Sequence, residues 1–220
     1  MTMKKMEASD FDSLVGFFDA MAQTPWLSHV HDELKAMSGS WLNKDVLDVG
    51  CGTGRLLARG VNEARSLTGV DLSKEMVKAT TSLLDAKAGG IKTNVAVADA
   101  YGLPFDDESF DSSMSTCVMF LLPEPERGLR ELFRVTRVNG VICMLNPTPK
   151  MNPKAASDYA KRHQITGFEE RALLSWSTIS TTRHRYDKQS FSDLLIKVGA
   201  ANVEHKAVLD DLALITVARK

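Results

Sequence analysis

The chain has 220 residues, of which 44% are hydrophobic and 25% charged, and its formal net charge is −1. This length and composition are ordinary for one soluble globular domain, or for one domain with an insertion. The charge balance argues against a nucleic-acid partner, and no apolar run approaches the ~18 residues that a membrane span needs.

Two helices are expected before the first strand. Apolar residues recur at helical spacing over residues 10–21, which predicts one amphipathic helix. A second helix has Thr24 as its N-cap, Pro25 in its first turn and Gly39 just past its end.

Strands and helices then alternate through the middle of the chain. The predicted strands are residues 45–49, 66–70, 92–98, 110–117 and 141–145, and the helices between them are about 55–64, 73–87 and 123–138. This alternation predicts a parallel sheet wound with right-handed crossovers.

The alternation breaks after residue 145. Residues 146–186 carry three prolines and two helical stretches, 155–163 and 168–179. A helix at 190–198 follows. Two strands, 203–208 and 212–218, then lie close enough in sequence to form a hairpin.

The first strand runs into a glycine-dense turn. Gly50, Gly52 and Gly54 alternate there, and the residues beyond them suit the first turn of a helix. Glycines at this density indicate a sharp turn against which a ligand can lie, beside free helix N–H groups. Dinucleotides and S-adenosylmethionine are the two ligand classes that use such a turn.

Three features bear on the choice between these two ligands, and two of them distinguish the ligands. The dinucleotide fingerprint would place a third glycine where this chain has Arg55. Asp71, at the end of the second strand, can accept hydrogen bonds from a ribose diol in either ligand. Asp99-Ala100, at the end of the third strand, can bind an adenine edge. The acidic loop after it disfavours a pyrophosphate but suits a positively charged sulfonium.

Four blocks of sequence then carry a resemblance to a known family. They are VLDVGCGTGRLL (46–57), GVDLSKEMV (69–77), VADAYGLPFDDESFD (97–111) and LLPEPERGLRELFRVTRVNGVICMLNP (121–147). In this order and spacing they resemble the class I S-adenosylmethionine-dependent methyltransferases, specifically the small-molecule group similar to the ubiquinone/menaquinone methyltransferases.

The resemblance covers about residues 45–145 and implies a fold. That fold is α/β, with a doubly wound, seven-stranded Rossmann-like sheet in the order 3-2-1-4-5-7-6, an antiparallel last strand and a helical cap. The expected single domain divides into N-terminal helices (1–44), a cofactor-binding core (45–145), a substrate cap insertion (146–188) and a C-terminal helix and hairpin (189–220).

The resemblance also implies site residues for S-adenosyl-L-methionine, with S-adenosyl-L-homocysteine as product. The backbone of Gly50, Cys51 and Gly52 would wrap the methionine part, and Gly54 is a further cofactor-binding residue. Asp48 would reach the methionine ammonium through water, and the Cys117 carbonyl would accept from that ammonium. Asp71 would hold the ribose with Leu72 against the adenine, and Asp99 and Ala100 would bind the adenine edge.

The reaction expected of such a site is an in-line displacement on the methyl carbon, driven largely by positioning. A general base is needed only if the acceptor must lose a proton. His163, His184 and Tyr101 are candidates, beside Tyr159, Tyr186 and His29, although packing or exposure can explain each. The histidine that many relatives have after strand four is absent from Val118–Pro123.

The cap segment suggests a type of acceptor. Residues 147–186 carry seven Lys or Arg against three acids. We interpret this surplus as favouring a small acceptor with a carboxylate or phosphate. Arg171, Arg183 and Arg185 are its candidate contacts and Trp176 a further one. A solvated helix face is the alternative explanation.

Other functions and properties remain open at this point. A NAD(P)-dependent oxidoreductase and a non-catalytic S-adenosylmethionine-binding module are the alternatives. No apolar stretch follows the two N-terminal lysines, so we expect no signal peptide. Cys51, Cys117 and Cys143 suit buried thiols in a reducing compartment. We therefore expect a cytoplasmic monomer or homodimer without a metal, a membrane span or a nucleic-acid partner.

Overall fold

A seven-stranded sheet runs through the computed structural model, which describes residues 3–87 and 89–220. Its strands are β1 (Asp45–Val49), β2 (Ser66–Asp71), β3 (Lys92–Val97), β4 (Phe110–Thr116), β5 (Thr136–Pro147), β6 (Asn202–Val208) and β7 (Ala213–Arg219). The order is β3-β2-β1-β4-β5-β7-β6. Strand β7 is antiparallel to both β5 and β6, and the other pairs are parallel. The predicted topology is confirmed.

Helices cover both faces of this sheet. They are α1 (Ser9–Asp12), α2 (Val15–Ala22), α3 (Pro25–Met37), α4 (Lys74–Lys87), α5 (Pro125–Val135), α6 (Pro153–Arg162), α7 (Gly167–Ser180) and α8 (Lys188–Lys197). Helix α4 packs against β2 and β3, α5 and α3 against β5, and α8 against β6. The central strands are consequently buried on both sides, as in parallel sheets generally.

Two predicted helices differ in the structure. The helix expected at 10–21 breaks into α1 and α2, because the Leu14 N–H donates to the Phe11 carbonyl three residues back and so closes a tight turn. The helix expected at 55–64 is only a 3₁₀ helix, Leu57–Gly60. The chain bends there around the buried Trp41 indole, and a Cβ on Gly60 would lie 2.6 Å from Trp41 Cε3.

The helix predicted to end near residue 138 stops at Val135. Thr136 is already extended, and its hydroxyl donates to the Leu132 carbonyl at 2.6 Å. The Asn139-Gly140 pair, a common turn sequence, lies within β5, where Asn139 adopts a left-handed conformation (φ 63°). The result is a strand that begins five residues earlier than its sequence pattern suggested, with an irregularity in its register against β4.

The two edges of the parallel strands differ in their charges. At the amino edge, Asp45 pairs with Arg65 and Arg137, and Asp111 pairs with the same two arginines. At the carboxyl edge, the ends of β1, β2 and β4 surround a cavity. None of the helices in the described ranges combines the length and apolar character that a membrane crossing requires.

Candidate active site

The cavity at the carboxyl edge of the sheet has a volume of about 460 Å³. Its floor is the turn after β1 together with the ends of β2 and β4. Its cover is the segment from Lys5 to Ala22, which includes α1 and α2 and which we call the N-terminal roof. Helices α3 and α7 supply the remaining wall. Open α/β sheets bind ligands at this edge, so the fold places a site here.

The three glycines of the turn have left-handed backbones but different surroundings. A Cβ on Gly50 (φ 76°) would lie 2.1 Å from Val118 Cγ2, and one on Gly54 (φ 78°) would lie 2.8 Å from Thr80 Cγ2. A Cβ on Gly52 (φ 54°) would meet nothing within 4 Å. Gly50 and Gly54 are therefore required by packing against protein, whereas Gly52 faces open space that a ligand can enter.

Asp48 is a buried carboxylate without a partner. It lines the cavity at the end of β1, its residue is 1% exposed, and neither carboxylate oxygen has a hydrogen-bond partner among the described residues. Burial, helped by the nearby charge of Asp71, raises the pKa of Asp48 to about 7. A bound cation would remove this penalty, so the site fits a positively charged ligand group.

Asp71 lies at the end of β2 and is tied to the glycine turn. Its Oδ2 accepts from the Gly52 N–H and its Oδ1 from the Ser73 N–H, each at 2.9 Å. Burial raises the pKa of Asp71, although these N–H donors act in the opposite direction. The carboxylate thus fixes the turn and still borders the cavity, beside Leu72.

Asp99 forms an ion pair with a lysine of the N-terminal roof. Its Oδ1 accepts from the Tyr101 N–H at 3.0 Å, and its Oδ2 forms an ion pair with Lys5. Partial burial acts to raise the pKa of Asp99, but the Lys5 hydrogen bond and the Tyr101 N–H outweigh it and lower the pKa. A ligand that binds to this Oδ2 must therefore compete with Lys5.

Two cysteine residues line the same cavity. Cys117 follows β4 in a left-handed conformation (φ 59°), and burial raises the pKa of its thiol to about 12. Burial also raises the pKa of Cys51 well above its ordinary value. Both thiols therefore remain protonated and unreactive at neutral pH. Cys143 lies elsewhere, with its Sγ 3.6 Å from the Leu34 carbonyl oxygen.

The other part of the cavity is apolar and largely aromatic, and we call it the apolar compartment. Phe17 packs edge-on against Phe18 at 5.5 Å and against Phe168 of α7 at 5.7 Å. Trp176 of α7 stacks on Trp26 of α3, with centroids 6.1 Å apart and planes 8° from parallel. The side chains from the roof, α3, α7 and the loop after β4 that line this compartment are Phe11, Leu14, Phe17, Phe18, Met21, Leu27, Phe120, Leu121, Leu122, Trp176 and Ile179.

Asp48, Gly52 and Asp71 form the polar part of the cavity, which we call the polar cradle. The unpaired carboxylate of Asp48, the acid at the end of β2 and the open space beside Gly52 fit S-adenosylmethionine, the cofactor that the sequence predicted. Residues 47–144 match a family model described as a methyltransferase domain. Over this stretch the chain is similar to the S-adenosylmethionine-dependent methyltransferases.

Individual relatives carry methyltransferase names. A demethylmenaquinone methyltransferase from Desulfitobacterium hafniense (strain Y51) is 31% identical over 117 residues, covering 52% of this chain and 46% of that protein. The chain spans about half the length of the curated relatives that it matches first.

Solved structures share the fold over nearly the whole chain. A SAM-dependent methyltransferase from Aquifex aeolicus has a TM-score of 0.65 at 17% identity, covering 98% of this chain and 99% of that one. The [4+2]-cyclase SpnF has a TM-score of 0.71 at 14% identity, covering 99% and 98%. At these identities the likeness is one of fold alone.

Most of the predicted cofactor residues meet at this one cavity. Those that line it are Asp48, Gly50, Cys51, Gly52, Asp71, Leu72, Asp99, Ala100 and Cys117. Gly54 does not line it, because its backbone packs against Thr80 below the turn. Of the predicted acceptor contacts, Trp176 lines the cavity.

The predicted cap arginines lie away from the cavity. Arg171 is exposed on α7. Arg183 donates to the Lys4 carbonyl at 2.7 Å, and Arg185 donates to the Met151 carbonyl at 3.2 Å. None of the three lines the cavity. Helix α7 turns its apolar face inward, and in the segment after it the guanidinium groups of Arg183 and Arg185 donate to backbone carbonyls.

The candidate bases are also placed elsewhere. His163 lies beside Asp210 at 3.0 Å, and His184 is 3.4 Å from the Pro123 carbonyl oxygen. The Tyr101 hydroxyl accepts from the Glu124 N–H at 2.8 Å. The structure brings none of the three into the cavity lining.

Sequence reasoning missed His31. Its ring lines the cavity, its residue is 5% exposed, and its Nδ1 has no partner among the described residues. Burial, together with the Arg59 charge, lowers the pKa of His31 to about 3, so the ring is neutral at physiological pH. The signal was its position on the buried face of α3, between Leu27 and Leu34 at helical spacing.

Proposed function

We propose that this methyltransferase transfers a methyl group from S-adenosylmethionine to a small, largely apolar acceptor with a flat ring. The observation that carries the proposal is the continuity of the polar cradle and the apolar compartment in one cavity of about 460 Å³. This volume lies in the range of about 300–1,000 Å³ that is usual for small-molecule sites. When bound, S-adenosylmethionine supplies a methyl group on a positively charged sulfur.

The residues of the cradle are suited to hold and orient that donor. Asp48 offers an unpaired carboxylate to its cationic part, and Asp71 offers carboxylate oxygens to a ribose diol. Gly52 permits close approach of the backbone. Orientation is the main contribution expected here, since positioning two reactants can supply roughly 7–11 kcal/mol.

The walls of the apolar compartment are suited to exclude water. The roof lies within 1–44 and α7 within 146–188, so we propose that both segments, and not the cap alone, form the acceptor site around the 45–145 core. Charge is dispersed when a sulfonium loses its methyl group, and a dry apolar wall favours that dispersal. Phe17, Phe18 and Trp176 are the aromatic surfaces available to a flat acceptor.

The acceptor is better matched to an apolar ring than to an anion. The cationic side chains that line the cavity within the described residues are Lys5 and Arg55, and they pair with Asp99 and Asp19. Relatives are named as demethylmenaquinone and 2-methyl-6-phytyl-1,4-hydroquinone methyltransferases. A short-chain hydroquinone is therefore the first acceptor to test. Charge reversal at Arg171 should leave the apparent affinity of the protein for this hydroquinone unchanged.

The test has two stages. Calorimetry should first show that S-adenosylhomocysteine binds the protein and NADH does not; the reverse result would favour the oxidoreductase. Incubation with S-adenosylmethionine and a panel of hydroquinones, phenols and carboxylates should then release S-adenosylhomocysteine with an apolar ring acceptor. Binding without release across the whole panel would favour the non-catalytic module and contradict the proposal.

A further inference from the structure

The histidines of the chain differ in how their rings are satisfied. His29 lies 3.4 Å from Glu33, His163 contacts Asp210, His184 faces the Pro123 carbonyl, and His205 contacts Ser192 and Thr216. His31 is the exception, since its ring makes no hydrogen bond to any described residue. Buried polar groups are nearly always paired, so an unpaired imidazole on a cavity wall points to a ligand group.

The two ring nitrogens of His31 have different access. Nδ1 is sealed from solvent and has no partner among the described residues, whereas Nε2 is not sealed, and His31 lines the cavity. A proton on Nδ1 would bury an N–H donor without an acceptor, which is costly. The favoured neutral tautomer therefore carries its proton on Nε2, where it can donate into the cavity.

The surroundings of His31 restrict what can accept this hydrogen bond. Leu27, one turn before it on α3, also lines the cavity, as does Trp176, which stacks on Trp26 of α3. Within the described residues, the N–H donors of this otherwise apolar wall are few, namely the His31 ring and the unpartnered Trp176 indole, so the wall favours a largely apolar molecule that presents an oxygen. A site built to hydrogen-bond a ligand oxygen discriminates strongly against the analogue that lacks it.

We propose that His31 is the polar anchor of the apolar compartment, donating from Nε2 to a hydroxyl or carbonyl oxygen on the ring of the methyl acceptor. This inference rests on the proposed function, since it assigns the orienting contact for the acceptor of that same reaction. It makes His31 a specificity-determining residue that the acceptor touches.

The test compares two probes with the same apolar body, 1-naphthol and naphthalene, by equilibrium dialysis with and without saturating S-adenosylhomocysteine. In His31→Leu, the ratio of the naphthalene to the naphthol dissociation constant should fall about tenfold from its wild-type value, the loss expected for one hydrogen bond. His29→Leu, an exposed position on the same helix, is the matched control and should keep the ratio.

A second pair of variants guards against a leucine variant that does not fold. His31→Gln can place an N–H near the position of Nε2 and should keep the wild-type ratio. The shorter side chain of His31→Asn cannot reach that position, so its ratio should fall as in His31→Leu. A ratio within twofold of wild type in both His31→Leu and His31→Asn overturns the proposal, as does a wild-type protein that binds neither probe. Failure of S-adenosylhomocysteine to bind the wild type would instead contradict the proposed function, and the dialysis without it still tests His31.

Discussion

At the scale of single residues, the cradle contains a group that opposes folding. Asp48 is buried without a hydrogen-bond partner among the described residues, at the point where a cationic ligand group is expected. A group arranged in this way serves binding at the expense of the ligand-free protein. Its protonation should therefore be visible in both stability and affinity.

The first prediction concerns Asp48→Asn. The folded pKa of about 7 lies above the unfolded value of ~3.9, so the contribution of this carboxyl to stability is greatest below pH ~4 and declines as the pH rises to ~7. The variant should be more stable than wild type at pH 8, by at most ~4 kcal/mol, and show no gain at pH 4. Denaturant unfolding at the two pH values measures this. An equal difference in unfolding free energy between variant and wild type at both pH values would show that the pKa of Asp48 is not raised by folding.

The same residue predicts a pH dependence of binding. The carboxylate that complements a cation forms only as the pH rises through about 7. The affinity of wild type for S-adenosylhomocysteine should therefore increase between pH 6 and pH 8, and Asp48→Asn should bind more weakly without that increase. Calorimetry at the two pH values tests this, and a parallel pH profile in both proteins would contradict it.

A third prediction separates the glycines of the turn. Gly52→Ala adds a methyl group where no atom lies within 4 Å, so its stability cost should be only the ~1–2 kcal/mol of left-handed backbone. Its affinity for S-adenosylhomocysteine should nevertheless fall at least tenfold. Gly50→Ala would collide with Val118 and should lose much more stability. Thermal unfolding and calorimetry on both variants distinguish packing from ligand approach; unchanged binding in Gly52→Ala would remove Gly52 from the cradle.

At the scale of elements, the N-terminal roof competes with the ligand it covers. Lys5 occupies the Asp99 carboxylate that the sequence assigns to the adenine edge. Lys5→Met should therefore strengthen S-adenosylhomocysteine binding, by up to about fivefold, since a partly exposed ion pair is worth ~0–1 kcal/mol. Lys4→Met is the matched control, expected to leave the affinity unchanged. Weaker binding in Lys5→Met would show that Lys5 assists the bound state instead.

The sequence was informative about elements that repeat a family pattern and less so about the acceptor site. The strand order and most of the cradle followed from four blocks between residues 46 and 147. The break between α1 and α2 depends on a local turn at Leu14 that helical spacing does not reveal. The apolar compartment combines the roof, α3, the loop after β4 and α7, and only the tertiary fold brings such distant residues together. His31 was recognisable as buried, but not as facing a cavity.

At the scale of the whole molecule, we expect the amino edge of the sheet to contribute to stability and the carboxyl edge to ligand binding. At the amino edge, hydrogen bonds from Arg65 and then from Ser66 and Arg137 hold the pKa of Asp45 below its ordinary value. Asp45→Asn should therefore lose about 1 kcal/mol of stability at pH 7, and the loss should shrink as the pH falls below the unfolded value of ~3.9. Binding of S-adenosylhomocysteine, at the opposite edge, should not change. Urea unfolding and calorimetry check the two parts, and a change in affinity would show that the edges are coupled.

The attachment of the roof has a consequence for the timing of the reaction. Lys5 pairs with Asp99, Asp12 accepts from the Ser73 hydroxyl at 2.6 Å, and Asp19 accepts two hydrogen bonds from Arg55 at 2.9 Å. Each contact involves a charge at a partly exposed position, where dissolved ions screen attraction over ~10 Å at 0.1 M salt. We expect departure of the spent donor to loosen these contacts, so its release should accelerate with ionic strength. An enzyme limited by release at low salt would then turn over faster as salt is added, until bond making becomes the slow step.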